Sequence, residues 1–350
     1  VQCMRTLEWD PKNNQLRMID QRLLPQRLEY AAYTTYPEVA RAIQEMVVRG
    51  APAIGVAGAY GMALAAMSIQ SHDRETFLSE LDQAAEVLRQ ARPTAVNLAW
   101  AIDQLLQIAR EIPGGIDEIR ATLLDKAHQM ADEDVAINQR MARYGAELIQ
   151  NGDTIIHHCN TGALATVDWG TALGVIRMAH EQGKQIHVLV DETRPRLQGA
   201  RLTAWELAQY GIPFDIISDN AAGYFLSSGQ VQKVMFGADR VAANGDVANK
   251  IGTYMLALAA FDNEVPVYAV FPKSTVDFKL PSGKVIPIEE RSPDEVLNIQ
   301  IQGETIVPSG STARNPAFDV TPHRILTACV TECGIIYPPF YLNLARILKT

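Results

Sequence analysis

The chain has 350 residues, 47% of them hydrophobic and 20% charged, which suits about two ordinary domains, each able to bury its own core. Lys and Arg number 31 against 40 Asp and Glu, a formal charge of -9, so there is no basic footprint for nucleic acid, although a few placed cations can still bind a small anion. The N-terminus has no basic start followed by an apolar stretch, no apolar run approaches the roughly 20 residues that cross a bilayer, and four cysteines at 3, 159, 329 and 333 are too irregular for a disulfide framework; a cytoplasmic protein without a membrane partner is expected.

The first 30 residues read as a hairpin, Thr6 to Trp9 and Leu16 to Asp20, with turn formers Asp10 to Asn14 between two apolar-polar alternations. Pro37 suits the first turn of a helix carrying Val39, Ile43, Met46 and Val47 on one face. Helical periodicity continues over residues 53–68, 75–91, 95–111 and 117–150, with Gly152 as a stop. After Gly152 short apolar runs alternate with helical patterns: Thr154 to His158, Gln185 to Val190, Phe214 to Ile217, Lys233 to Phe236 and Val267 to Phe271. Strands spaced by helices imply crossover connections and a parallel sheet covered on both faces. The predicted class is therefore α/β: a smaller N-terminal hairpin-plus-helices domain over 1–150, then a Rossmann-like open parallel domain over 151–350. Residues 279–320, rich in Pro, Gly, Ser and charge, break the pattern and read as a functional cover or an interface element.

In open parallel sheets ligands sit beyond the carboxyl ends of the strands, so the residues just past each strand are the site candidates. Cys159 follows the first strand and is expected at the N-terminus of a helix opened by Asn160, Thr161 and Gly162, where the dipole lowers a thiol pKa; a buried structural cysteine is the plainer alternative. Zinc is disfavoured, because His157, His158 and Cys159 are consecutive on a strand and no CxxC or HExxH completes a ligand set. Asp239 emerges after Val234-Met235-Phe236-Gly237-Ala238 and is either a general acid kept protonated by an apolar crevice, or a carboxylate capping the next turn or paired with Arg240. Asp191 and Asp219 also stand at strand ends, where loop capping is the commoner role. Arg49-Gly50-Ala51-Pro52 precedes a helix of small residues and offers a guanidinium and bare amides to a phosphate, although Gly50, Gly55, Gly58 and Gly61 equally suit close helix packing. Arg92 and Lys250 read as anion contacts or as solvated surface charges. No GxG pair and no GxxxxGK[ST] occurs, which argues against dinucleotides and nucleoside triphosphates.

The blocks RGAPAIGVAGAYG, RPTAVNLAWA, HHCNTGALATVDWGTALG, DETRPRLQGARLTAWEL, MFGADRVAANGDVANKIGTY and NPAFDVTPHRI run from residue 49 to about 324, and together they resemble the 5-methylthioribose-1-phosphate isomerase family. That resemblance implies a methionine-salvage enzyme that turns 5-methylthioribose 1-phosphate into 5-methylthioribulose 1-phosphate, as a homodimer and with no metal or organic cofactor. It assigns the catalytic thiol to Cys159 and the catalytic carboxyl to Asp239. It assigns substrate contacts to Arg49, Gly50 and Ala51, to Arg92, to Gln198, and to Asn249 with Lys250. Because the anomeric oxygen of this sugar carries phosphate, opening its ring needs an acid at the ring oxygen, a role for Asp239. Hydrogen then moves from C2 to C1 beside Cys159, as a proton through an enolate-like state or as a hydride.

Two relatives of the same superfamily compete: a ribose-1,5-bisphosphate isomerase, which needs extra cations where a thioether prefers an apolar wall, and a non-catalytic subunit of translation initiation factor 2B. Cys329 and Cys333, four apart on a predicted helix, raise a third reading of thiol redox work, against core packing or a partly exposed helix face.

Overall fold

Turn residues Asp10 to Asn14 fold the start of the chain back on itself. In the computed structural model, which describes residues 4–93 and 95–348, the flanking runs become β1 (Leu7–Asp10) and β2 (Gln15–Ile19). The Asp10 carboxylate holds the turn, accepting from Lys12 N, Asn13 Nδ2 and Gln15 Nε2 at 2.8 to 3.0 Å. A third strand, β3 (Tyr30–Tyr33), pairs antiparallel with β2 and extends the expected hairpin. Its sequence, Tyr-Ala-Ala-Tyr, has none of the β-branched residues by which a strand is recognised. Cys3 and Thr94 lie outside the described residues.

Five helices follow: α1 (Tyr36–Gln44), α2 (Ala51–Ser68), α3 (Arg74–Gln90), α4 (Val96–Glu111) and α5 (Ile116–Ala146). Asp73 starts α3 by accepting from Thr76 N at 2.8 Å, and Phe77, Leu81, Ala84, Ala85 and Leu88 form its buried stripe. The α2 helix is apolar all round and buried continuously from Ala53 to Ala66. Its 18 residues are long and apolar enough to cross a membrane, which corrects the expectation that no run approached that length; 78% of them are buried inside the protein. Its glycines let neighbouring helices approach: a Cβ on Gly58 would stand 2.4 Å from Leu98 Cδ1 in α4. The chain divides into two compact units, residues up to 138 with 162–170, and 139–161 with 171 onward. The division thus falls inside α5 rather than at 150, and a short loop of the later sequence belongs to the first unit.

The second unit is built on a seven-stranded sheet. In chain order it carries β4 (Thr154–His157), α6 (Ala172–Glu181), β5 (His187–Asp191), α7 (Ala204–Tyr210), β6 (Phe214–Ile217), α8 (Ala222–Ser227) and β7 (Lys233–Phe236). Then come β8 (Arg240–Ala242), β9 (Val247–Lys250), α9 (Thr253–Asp262), β10 (Val267–Val270), β11 (Val276–Asp277), α10 (Asp294–Leu297), β12 (Gln300–Ile301), β13 (Glu304–Thr305), β14 (Phe318–Thr321), β15 (Ala328–Thr331), β16 (Gly334–Ile336) and α11 (Phe340–Leu348). The sheet order is β16-β15-β10-β7-β4-β5-β6, parallel except for the edge strand β16. The chain builds outward from β4 through β5 to β6, then returns to β7 on the other side of β4, so the direction of winding reverses between β4 and β7. A smaller sheet, β11-β8-β9-β14, grows out of the end of β7. Cys329 lies in β15, buried, and Cys333 in the exposed turn after it, so the predicted shared helix face does not exist.

Phe236 is fully buried in the β7 segment of the core that includes Ile156, Val234, Val267 and Phe271. Phe236→Ala is expected to cost about 3–5 kcal/mol through lost burial and the cavity left behind, read as a lower urea midpoint with an unchanged m value.

Candidate active site

Strand β4 ends at His157 and β7 at Phe236, and the two lie side by side with Ile155 opposite Lys233, Ile156 opposite Val234 and His157 opposite Met235. Cys159 and Asp239 are therefore the groups that leave the sheet on either side of the winding reversal. Cys159 does not begin an α-helix, as expected from Asn160-Thr161-Gly162. A single 3₁₀ turn, Ala163–Ala165, intervenes, and α6 starts only at Ala172. The helix-dipole argument for its thiol fails accordingly.

What the structure supplies instead is a constrained backbone. Cys159 has φ 64, in the left-handed region, and so do Thr193 (φ 62) and Leu197 (φ 59) after the neighbouring strand β5. For a β-branched residue such as Thr193 this conformation is costly, and it persists because hydrogen bonds hold it. Cys159 N donates to Thr193 Oγ1 at 2.8 Å, Thr193 Oγ1 donates to the Asp191 carbonyl at 3.0 Å, and Thr203 Oγ1 donates to the Cys159 carbonyl at 2.6 Å. Thr193 N and Arg194 N each donate to the Asp219 carboxylate at 2.7 Å, which gives Asp219 the loop-capping role expected of it.

Asp239 N donates to the Ala248 carbonyl at 2.9 Å, which starts the β8–β9 pairing and brings Asn249 and Lys250 to the same end of the sheet. Neither is a surface residue: they are 5% and 8% exposed. Asn249 Nδ2 donates to Thr253 Oγ1 at 3.0 Å, and Lys250 Nζ lies 4.6 Å from the centroid of the Phe318 ring. Burial lowers the Lys250 pKa, while the Cys159 and Asp239 groups within electrostatic reach of its ammonium pull it back up. Positive charge thus reaches the thiol from Lys250. Gln198 stands beyond β5, buried at 7% exposure, and its Oε1 has no hydrogen-bond partner, which leaves an acceptor available for a ligand. Gly199 must be glycine, since a Cβ there would fall 1.7 Å from the Asp191 carbonyl oxygen.

Arg49, Gly50, Ala51 and Arg92 belong to the first unit. Gly50 caps α2 with φ 91, and a Cβ would stand 2.2 Å from the Ala165 carbonyl oxygen, so its glycine serves a purpose different from that of Gly58. Arg49 and Ala51 flank it, half-buried, and Arg92 occupies the turn between α3 and α4. The first unit also has a cavity of about 630 Å³ at α3 and α4, but its cations are paired, Arg110 with Asp82 and Arg89 with Asp103.

Both histidines before the thiol are fully buried. Thr161 Oγ1 accepts from Leu173 N at 3.0 Å and lies 2.8 Å from His157 Nε2. Burial, with the charge of His158, lowers the His157 pKa to about 3, so the ring is neutral. His158 Nδ1 meets Asp191 Oδ2 at 2.8 Å and Nε2 meets the Ile251 carbonyl at 2.9 Å. Burial opposes its charge, but Asp191, with Asp219 behind it, raises the His158 pKa overall. His158, Asp191 and Asp219 offer ligand atoms within 4.8 Å of one another, with His158 Nε2 committed to the Ile251 carbonyl and Nδ1 facing Asp191.

The sequence pointed to His158 only as a zinc ligand, and to residues 279–320 as a cover or interface element without singling out any residue in it. Arg196 pairs with Glu295 at 2.9 Å and Arg194 Nη2 donates to the Val296 carbonyl at 3.1 Å, so this part of the excursion is docked on the loop that carries Gln198. Arg291 and Glu295 from it lie within electrostatic reach of Lys250.

A model of the initiation factor 2 subunit family matches residues 47–338. The chain belongs to the initiation factor 2 subunit family. Within that family it is similar to methylthioribose-1-phosphate isomerase 2 of Pseudothermotoga lettingae, 51% identical over 350 residues and covering 100% of both chains. It is also 52% identical to the methylthioribose-1-phosphate isomerase of a Synechococcus species over 335 residues, 96% of each. Among solved structures, 5-methylthioribose 1-phosphate isomerase from Pyrococcus horikoshii superposes with a TM-score of 0.94 at 45% identity, covering 100% of this chain and 97% of that one. A family member from A. fulgidus described as translation initiation factor eIF-2B, subunit delta, superposes at 0.89 with 43% identity, covering 99% and 100%.

The His157 environment has a measurable consequence. Its folded pKa of about 3 lies below the ordinary value of 6.5, so the unfolded chain binds the extra proton between those limits and stability falls as pH drops through that window. His157→Gln, which keeps a hydrogen-bonding partner for Thr161, is expected to remove up to about 1.4 kcal/mol per pH unit of that slope, read from urea unfolding across the window.

Proposed function

We propose that this family member is an aldose-ketose isomerase of methionine salvage that converts 5-methylthioribose 1-phosphate to 5-methylthioribulose 1-phosphate, with Cys159 and Asp239 as the reacting groups. The observation that carries the reading is the emergence of these two groups on adjacent strand ends at the winding reversal, with Lys250 in electrostatic reach of both. Full-length relatives named for this reaction, one of them 51% identical, support the substrate. Gln198, Asn249 and Lys250 are proposed as substrate contacts on their burial at the same end of the sheet; Arg49, Gly50, Ala51 and Arg92 are carried on the resemblance alone.

In this mechanism Asp239, protonated, gives its proton to the ring oxygen as the bond from that oxygen to C1 breaks. The C2 hydrogen passes to C1 beside the Cys159 sulfur. The C2 hydroxyl, becoming a ketone, returns a proton to the Asp239 carboxylate, so the enzyme ends as it began. Asp239 is exposed, which corrects the expectation of an apolar crevice around it: burial does not hold this carboxyl in the protonated form that the first step needs. We further propose a cytoplasmic homodimer, with no metal or organic cofactor in the reaction.

The second reading, a regulatory translation-factor subunit, rests on the A. fulgidus relative. The two are separated by assaying the purified chain alone on the sugar phosphate. Turnover is expected without any partner protein, and its absence would leave the subunit reading standing. Asp239→Asn and Cys159→Ser are each expected to lower kcat by about a hundredfold or more. A variant with parental kcat removes that residue from the mechanism. Ribose 1,5-bisphosphate is expected to turn over at least about tenfold more slowly in kcat/KM, because a second phosphate needs cations where a thioether prefers apolar contacts. Light scattering is expected to return the mass of two chains.

A further inference from the structure

We infer that His158 is a positioning residue for this reaction, its imidazole hydrogen-bonded through both ring nitrogens so as to tie the backbone beside Cys159 to the strand end that carries Lys250. The inference deepens the function proposed above and rests on it for the identity of the reaction.

His158 immediately precedes Cys159 and is 0% exposed. Its Nε2, 2.9 Å from the Ile251 carbonyl, must carry hydrogen, because a carbonyl only accepts. That carbonyl belongs to the residue immediately after Lys250, whose own carbonyl is held by the Thr253 hydroxyl at 2.6 Å. Gly252, with φ 101, lets the ring lie against bare backbone, since a Cβ there would stand 2.8 Å from His158 Cε1. At the other nitrogen, Asp191 takes Nδ1 through Oδ2 at 2.8 Å, while the Asp191 main-chain carbonyl takes the Thr193 hydroxyl that in turn receives Cys159 N. The ring of His158 and the amide of Cys159 are thereby referenced to the same residue.

A histidine that merely filled the core would cap whatever backbone lay nearest. Here each arm ends within one residue of a group at the reacting end of the sheet, and one arm supports a cysteine in a left-handed conformation that costs energy to keep. Asp191 Oδ1 is buried without a hydrogen-bond partner, so its carboxylate depends on the imidazole for compensation. The charged groups around the ring are Asp191 from β5, Asp219 after β6, and Asp319 from β14, the last also in reach of Lys250. Asp319 accepts from Gly252 N at 2.8 Å and from Tyr254 N at 3.1 Å, so it braces the same turn from the far side.

The test uses the full chain with Cys3→Ser and Cys333→Ser, which leaves Cys159, buried at 7% exposure, and Cys329, which is 0% exposed. His158→Asn keeps a donor toward Asp191 and drops the Ile251 arm; His158→Gln keeps a donor toward Ile251 and drops the Asp191 arm. Both are assayed for kcat and KM, and separately, without substrate, for the rate of Cys159 alkylation by iodoacetamide between about pH 5 and about pH 10. Each variant is expected to lose about tenfold to a hundredfold in kcat with KM held within about threefold, and to move the alkylation midpoint up by about half a unit or more. Variants that fold with parental melting temperature and keep both kcat and the alkylation profile overturn the inference. Asp191→Asn, close to isosteric, carries the same two readouts where a histidine variant fails to fold, with the same outcomes counting for and against. Since alkylation needs no sugar, a parent enzyme without isomerase activity refutes the proposed reaction while the alkylation profiles still decide the role of His158.

Discussion

The strand-order reversal between β4 and β7 is the constraint on which the rest of the second unit depends. Two parallel strands that lie side by side but send their chains to opposite sides of the sheet cannot close over their own carboxyl ends, and a crevice is left there. The parallel sheet is buried on both faces, so the strands that feed the crevice are continuous apolar runs, such as Ile155-Ile156 and Val234-Met235-Phe236. Polar groups can appear only where those runs stop. Cys159, Asp191 and Asp239 appear at or just past those stops.

A crevice with dry walls makes every charge in it expensive, and the molecule meets that cost by pairing. Lys250 is pushed toward its neutral form by burial and held back by Cys159 and Asp239. Asp191 raises the His158 pKa against the effect of burial, and Asp319, lifted to about 6 by burial, is in turn steadied by His158 and Lys250. Backbone strain is handled in the same way. The left-handed conformations of Cys159 and Thr193 are held by threonine hydroxyls and by Asp219, so the backbone from which the thiol projects is fixed.

The fold itself does not select between enzyme and regulatory subunit, because both descriptions occur in the initiation factor 2 subunit family. The groups that bear on the choice are those at the winding reversal, where the buried Lys250 ammonium lies within electrostatic reach of Cys159 and Asp239.

Local physics was legible in the sequence wherever a residue's neighbours in the chain decide its state. The hairpin turn at Asp10, the stripe of α3, the uniformly apolar α2 and the strands from β4 through β7 and β10 all follow from propensity and periodicity, and so does the alternation that implies a parallel sheet. Resemblance supplied the roles of Cys159, Asp239 and Lys250, which spacing alone left open between chemistry and packing. Tertiary structure decided what depends on groups distant in the chain. It replaced the helix expected at Asn160 with a strained loop, because Thr193 and Thr203 from other segments hold Cys159 in place. It put Cys329 on a strand, because β10 offers it a ladder of hydrogen bonds that no local pattern announces. It decided between the two readings of Lys250, anion contact or solvated surface charge, in favour of a buried position, because β9 is closed in by β8 and β14. Pairing, burial and strain are properties of the neighbours that folding brings together, and in this molecule those neighbours come from β5, β7, β9 and β14.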